Sequence, residues 1–282
     1  MSDVPNQFEK VIYEVSDRVA TVTLNRPECL NAFDHGPGSM EDELIRALEL
    51  SDRQDDVRCT IVTGAGCVFS AGGDIGARTP KQTAVDWYAF NELDDGGNER
   101  IRRMSKPVIG AINGMCYGAA FVLATHLDLL VAVEHARFGL IETRFGSSGA
   151  DTLAFLVGPQ WAKFLALSGE IISADKAREI GLVLEVFPED VFTDKVRDLG
   201  RRIAAMPRDA VILNRRVVNA SLAAMGWDAN KEAARALNAI TNSVANIAEG
   251  VDGRRFNEVL KNEGWREFKE LRDKPFASPW LD

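Results

Sequence analysis

Apolar and polar positions alternate near the start of the chain. Val11 to Val15 and Val19 to Leu24 are rich in β-branched residues and flank Ser16-Asp17-Arg18, which predicts a hairpin. Asn25-Arg26-Pro27 ends its second strand. From Met40 to Leu50 the period lengthens: Met40, Leu44, Ala47 and Leu48 recur among acids at helical spacing. Cys59 to Thr63 reads as a short strand that stops at Gly64-Ala65-Gly66. Arg78 to Met104 reads as mostly helical, with Asp94-Asp95-Gly96-Gly97 expected to break it. Pro107 to Ile112 is the next strand, Gly118 to Leu127 a helix and Leu129 to Val133 a buried strand. A glycine-rich passage, Gly139 to Gly149, opens a further helix near Asp151. Short strands feeding glycine turns and helices predict an α/β fold with ligands at the strand ends.

After about Pro188 the pattern becomes helical throughout: Phe192 to Ala205, Ala210 to Met225 and Asn230 to Ile247, punctuated by Pro207 and Gly226. No low-complexity linker intervenes. The expected organisation is a core over 1–190 and a C-terminal helical region over 191–282 that packs on it or on a neighbouring subunit. One stretch, Pro107 to Leu127, carries no Asp, Glu, Lys or Arg over 21 residues, long enough for a bilayer. Asn113-Gly114 interrupts it with a turn signal and Gly118 follows, so a buried strand, loop and helix start are expected instead.

Composition narrows the function. The 282 residues carry 42 acids against 33 Lys and Arg, a net charge of −9 that opposes nucleic-acid binding. The four cysteines form no CxxC, the three histidines are scattered, and no metal site is expected. The N-terminus lacks the basic and apolar regions of a signal peptide, so the expected location is cytoplasmic. GxxxxGK[ST], GxGxxG and GxSxG are absent, which removes the support for P-loop, Rossmann and α/β-hydrolase readings.

Two glycine passages remain as candidate chemistry. Phe69-Ser70-Ala71-Gly72-Gly73-Asp74-Ile75 follows one strand, and Asn113-Gly114-Met115-Cys116-Tyr117-Gly118-Ala119-Ala120 follows another and opens a helix. Small residues let a ligand approach the backbone, and a helix start leaves N–H groups unpaired. Two such groups aimed at one point would form an oxyanion hole; singly, each passage reads more readily as a tight turn packed for steric reasons. With so few histidines, proton transfer would fall to carboxylates.

The same passages carry a resemblance. Leu24-Asn25-Arg26-Pro27, Leu30-Asn31-Ala32, Ser70 to Ile75, Lys106 to Gly114, Phe138-Gly139-Leu140-Ile141-Glu142, and Ser168 to Ala177 with Gly181-Leu182-Val183 stand in the order found in the crotonase (enoyl-CoA hydratase/isomerase) superfamily. The resemblance spans about residues 8 to 260 and implies a spiral of ββα repeats with a helical trimerisation region, assembled as a trimer or hexamer. It implies an acyl-CoA thioester held by the N–H groups of Gly73 and Ala119, with Glu142 as general acid/base and no separate cofactor, since CoA enters as part of the substrate. By position, Arg26, Leu30, Ala32, Ala71, Asp74, Ile75 and Phe256 would meet the substrate or its CoA, and Trp87, Val122 and Phe145 the acyl group.

The chain also departs from the family. Two-glutamate hydratases carry a glutamate three residues after the position of Ala119, where this chain has Val122. The lysines often found near the nucleotide are replaced by Glu28 and Gly76. The expected activity is a hydratase or lyase on an α,β-unsaturated or β-hydroxy acyl-CoA. An enoyl-CoA isomerase, or a dehalogenase-like hydrolase using Asp151, is the alternative, with Asp151 as a helix N-cap the structural reading of that residue. A catalytically silent CoA-binding or assembly subunit is the alternative from another class.

Overall fold

In the computed structural model, which describes residues 8–76 and 83–281, the first two strands form the expected hairpin. β1 (Val11–Ser16) and β2 (Val19–Leu24) are joined by Asp17 and Arg18, both left-handed at φ 54° and 66°. A two-residue turn of that hand matches the twist of the flanking strands. α1 (Met40–Arg53) starts at Ser39, whose hydroxyl accepts from the Asp42 N–H at 3.1 Å, with three acids in its first turn.

β3 (Cys59–Gly64), β4 (Val108–Ile112), β6 (Leu129–Val133) and β9 (Glu185–Phe187) extend the hairpin into a six-stranded sheet of order β1-β2-β3-β4-β6-β9, in which only the β1–β2 pairing is antiparallel. Every residue of β4 is buried, which explains its unbroken apolar run. β5 (Met115–Tyr117), β7 (Arg137–Gly139) and β8 (Ile171–Ser173) form a second, three-stranded sheet. The helices that follow are α2 (Ala84–Arg103), α3 (Ala119–Ala124), α4 (Leu153–Ser168) and α5 (Ala174–Glu179). The C-terminal part is helical, as expected: α6 (Glu189–Ala204), α7 (Arg208–Ala224), α8 (Trp227–Val244), α9 (Phe256–Asn262) and α10 (Trp265–Asp273).

The uncharged stretch at 107–127 divides into β4, β5 and α3, and no helix of the described residues is long and apolar enough to cross a membrane. α3 is shorter than expected and ends at Ala124. The break expected at Asp94-Asp95-Gly96-Gly97 is absent: α2 runs through it. Packing outweighs propensity here, because α2 lies along α8, and a Cβ on Gly97 would come within 3.3 Å of Ile45 on α1. Thr83 and Asp86 close the start of α2 in a reciprocal capping box; residues 78–82 of the expected helix lie outside the described residues.

One large core fills the space between the main sheet and its helices, and α6 contributes Phe192, Val196 and Ala204 to it. A second, small cluster of Phe256, Val259, Phe268 and Leu271 unites α9 and α10 and takes in Ile75 and Phe145. The end of β3 is closed against the chain that follows it. A Cβ at Gly64 would stand 2.1 Å from the Val68 carbonyl oxygen and 2.5 Å from that of Phe69. Gly64→Ala is therefore expected to cost about 3 kcal/mol, the upper end of overpacking penalties, measured by denaturant unfolding. An unchanged midpoint would show that the backbone at Val68 and Phe69 can give way.

Candidate active site

Both glycine passages meet at the end of the main sheet. Ser70 pairs with Cys116: its N–H donates to the Met115 carbonyl at 2.9 Å and its carbonyl accepts from the Tyr117 N–H at 3.2 Å. Gly72 is left-handed at φ +94°, and a Cβ there would lie 2.5 Å from the Tyr117 carbonyl oxygen and 3.2 Å from the Ala119 nitrogen. Only glycine permits that approach. The chain at Gly73 is thereby pressed against the start of α3. Among the described residues, neither the Gly73 N–H nor the Ala119 N–H finds an acceptor, whereas the neighbouring Phe33, Asp74 and Gly118 N–H groups do. Ala119 owes this to its place as the first residue of a helix. Two unused donors side by side, on a cavity wall, can hold one developing negative oxygen.

Glu142 lies on a 3₁₀ turn, Ile141–Phe145, directly after the three-stranded sheet. Two glycines give its carboxylate room: a Cβ at Gly149 would sit 2.5 Å from Oε1, and one at Gly118 would sit 3.2 Å from Oε2. The same point on Gly149 is 3.0 Å from a Val122 methyl, so the flank on which a second glutamate would stand is apolar. The carboxylate thus borders the residue that precedes the Ala119 donor. Phe145, on the same turn, also lines the cavity and packs edge-on against Phe268 at 5.7 Å.

Asp151 is not a helix cap. Thr152 occupies the N-cap position of α4 and makes no side-chain capping bond. The Asp151 carboxylate instead accepts from Lys231 of α8 at 2.6 Å, with the two side chains 3% and 4% exposed. Behind the pair lies His126, fully buried, with Nδ1 2.9 Å from the Val122 carbonyl and Nε2 3.8 Å from Glu99. Burial, and then the Lys231 charge, hold this imidazole below its usual range, so it is neutral near pH 7.

The cavity between these elements has a volume of about 770 Å³. Leu30, Ala32, Ala71, Asp74, Ile75, Val122 and Phe145 line it, as the sequence predicts. Three expected residues stand elsewhere. Arg26 is used within its own loop: its guanidinium donates to the Ala32 carbonyl at 2.6 Å and pairs with Asp34 at 3.3 Å and Asp74 at 3.6 Å. Burial raises the Asp34 carboxyl, but Lys10, the Met40 N–H and Arg26 together outweigh it and hold the group below the usual range. Phe256 is buried in the small cluster behind the wall, and Trp87 is buried against Phe90, which takes its place at the cavity.

The wall also holds residues outside the site expected from the sequence. α10 brings Trp265, Lys269 and Arg272; α2 and α8 bring Asn91, Asn238 and Asn242; the loop before α1 brings His35, whose Nδ1 is 2.7 Å from Glu41. Arg144 and Arg272 both bond Asp273, which ties the end of α10 to the Glu142 turn. Among the described residues, no group of three or more His, Cys, Asp or Glu side chains could hold a metal ion.

A family model described as enoyl-CoA hydratase/isomerase matches residues 14–277. The 2,3-dehydroadipyl-CoA hydratase of Escherichia coli (strain K12) is 34% identical over 188 residues, covering 65% of this chain and 71% of the relative. The 1,2-epoxyphenylacetyl-CoA isomerase of the same strain is 33% identical over 190 residues, covering 65% and 71%. The crystal structure of an enoyl-CoA hydratase/isomerase from Xanthobacter autotrophicus Py2 superposes with a TM-score of 0.88 at 30% identity, over 96% of this chain and all of the other.

The buried pair on α8 has a measurable consequence. Lys231→Met strands the Asp151 carboxylate without its cation, at an expected cost of about 3–5 kcal/mol in denaturant unfolding. The double variant Asp151→Leu/Lys231→Met should regain most of that loss. A single variant as stable as the parent would show that water reaches Asp151.

Proposed function

Because this chain belongs to the enoyl-CoA hydratase/isomerase family, we propose that it hydrates an α,β-unsaturated acyl-CoA thioester, or acts as a lyase on a β-hydroxy one, through an enolate held by Gly73 and Ala119. The observation that carries this reading is the meeting of two unused N–H donors with the Glu142 carboxylate on one cavity wall. The thioester oxygen sits between the donors and gains negative charge as the enolate forms. With Val122 on the other flank, one carboxylate does both proton transfers. Glu142 takes a proton from water as the hydroxyl adds to Cβ, and returns that proton to Cα. The nucleotide lies toward Trp265, Lys269 and Arg272, of which Lys269 and Arg272 carry the positive charge that Glu28 and Gly76 do not. CoA arrives with the substrate, and no further cofactor takes part.

The lone carboxylate also supports a second reading, an isomerase in which Glu142 removes a proton from one carbon and returns it to another. The hydrolase reading loses ground, because a nucleophilic Asp151 would have to break its bond to Lys231. Turnover of crotonyl-CoA, cinnamoyl-CoA and their hydroxylated forms, with product identification, separates these reactions. Glu142→Gln should lower kcat by about 10²–10⁴-fold with thioester affinity little changed. A variant with parental kcat would remove Glu142 from the chemistry, and no turnover or binding of any thioester would favour the silent-subunit reading.

Assembly follows from the helical region. Leu213, Val217 and Val218 on α7 and Leu237, Ile240 and Val244 on α8 are all at least half exposed, more apolar surface than a lone helical extension leaves in water. The expected state is a homotrimer or hexamer in the cytoplasm, where the four free cysteines stay reduced. Light scattering should return three or six times 30.9 kDa; a single multiple at micromolar concentration would reject the assembly.

A further inference from the structure

Asn91 follows Phe90 on α2, lines the cavity and is only 8% exposed. Its Nδ2 is buried and makes no hydrogen bond with a described residue. An amide in that state has given up its water without replacement, a penalty that a ligand oxygen would remove. The location suits such a ligand. The Phe90 ring meets His35 edge-on at 4.9 Å, and His35 Nε2 lies 4.0 Å from where a Cβ on Gly73 would be. This turn of α2 therefore stands beside the thioester site.

α8 adds donors of the same kind. Ser147 and Ser148, five and six residues beyond Glu142, donate their hydroxyls to Oδ1 of Asn242 and Asn238, each at 2.5 Å. Each asparagine lines the cavity with its acceptor occupied, and its NH₂ end makes no hydrogen bond with a described residue. The set is rich in donors and carries no open positive charge: Lys231 on the same helix is engaged by Asp151, and the cavity's cations Lys269 and Arg272 stand on α10, where the proposed reading gives them to the nucleotide. A hydrocarbon chain would leave these amides unsatisfied. A carboxylate would find donors but no cation to balance its charge.

We infer that the pocket selects an acyl group bearing an uncharged oxygen, a hydroxyl or a ketone, beyond the reacting carbons, and that Asn91 is the specificity-determining residue that donates to it. The inference rests on the acyl-CoA reading above and narrows its substrate class.

Binding separates the two. The probes are acyl-CoA analogues in which a methylene replaces the thioester sulfur, with hexanoyl, 5-hydroxyhexanoyl, 5-oxohexanoyl or adipyl chains, titrated by calorimetry into the full-length protein. One of the two uncharged oxygenated chains should bind about tenfold or more tightly than both hexanoyl and adipyl. Asn91→Leu should erase that preference while hexanoyl affinity stays within about threefold. Asn91→Asp, the same size without the NH₂, should erase it too and serves if the leucine variant does not fold. Equal or better binding of the hexanoyl chain, a preference for adipyl, or a preference that survives both substitutions would overturn this inference and leave the acyl-CoA reading standing. Failure of every analogue to bind would bring down both.

Discussion

How closely two stretches of backbone can approach each other governs the centre of this molecule. The chain at Gly72 lies where any side chain would collide with the Tyr117 carbonyl, and the Ser70–Cys116 pairing holds it there. Because the loop cannot stand off, the Gly73 and Ala119 N–H groups, neither with an acceptor among the described residues, are held on one cavity wall. In the proposed reaction, donors fixed in this way would cost no reorganisation, which is where preorganised dipoles gain their advantage over water. The rest of the fold serves this contact. The buried parallel strands bring both loops to one sheet end, and the three-stranded sheet sets the Glu142 turn beside them.

Two carboxylates near the cavity divide their roles by environment. Asp151 is locked by an ammonium group on another helix, so its charge is balanced and structural. Glu142 stands between two glycines with a valine at its flank, where geometry leaves space for a reacting group. The difference lies in the surroundings: an ammonium group stands across from Asp151, while two glycines and a valine border Glu142.

What the sequence disclosed follows the range of the forces involved. The hairpin, the capped start of α1 and the strand-to-glycine transitions are set within a few residues, and they stand where periodicity put them. The ordered motifs are local in the same way, and they put Gly73, Ala119 and Glu142 on one cavity. Residues whose fate depends on distant partners were not legible. Asp151 looked like a cap because its ammonium partner is 80 positions away. Arg26 looked like a contact for the substrate or its CoA, yet the carboxylates of Asp34 and Asp74 claim it. The glycines in α2 looked like a break because the helix that lies along them comes more than a hundred residues later. Asn91, Asn238 and Asn242 carried no signal, since an asparagine on a helix is ordinary until the space in front of it is known.

The small cluster of Phe256, Val259, Phe268 and Leu271 has a consequence for how the molecule comes into being. A chain emerging from the ribosome can complete the main sheet and the paired loops before α10 exists, whereas the Glu142 turn gains its Phe268 and Asp273 contacts only with that helix. The wall formed by Trp265, Lys269 and Arg272 comes after them in the order of synthesis, on a unit with few apolar contacts of its own. Pairing of the two loops therefore does not wait for the helix that encloses the cavity in front of them.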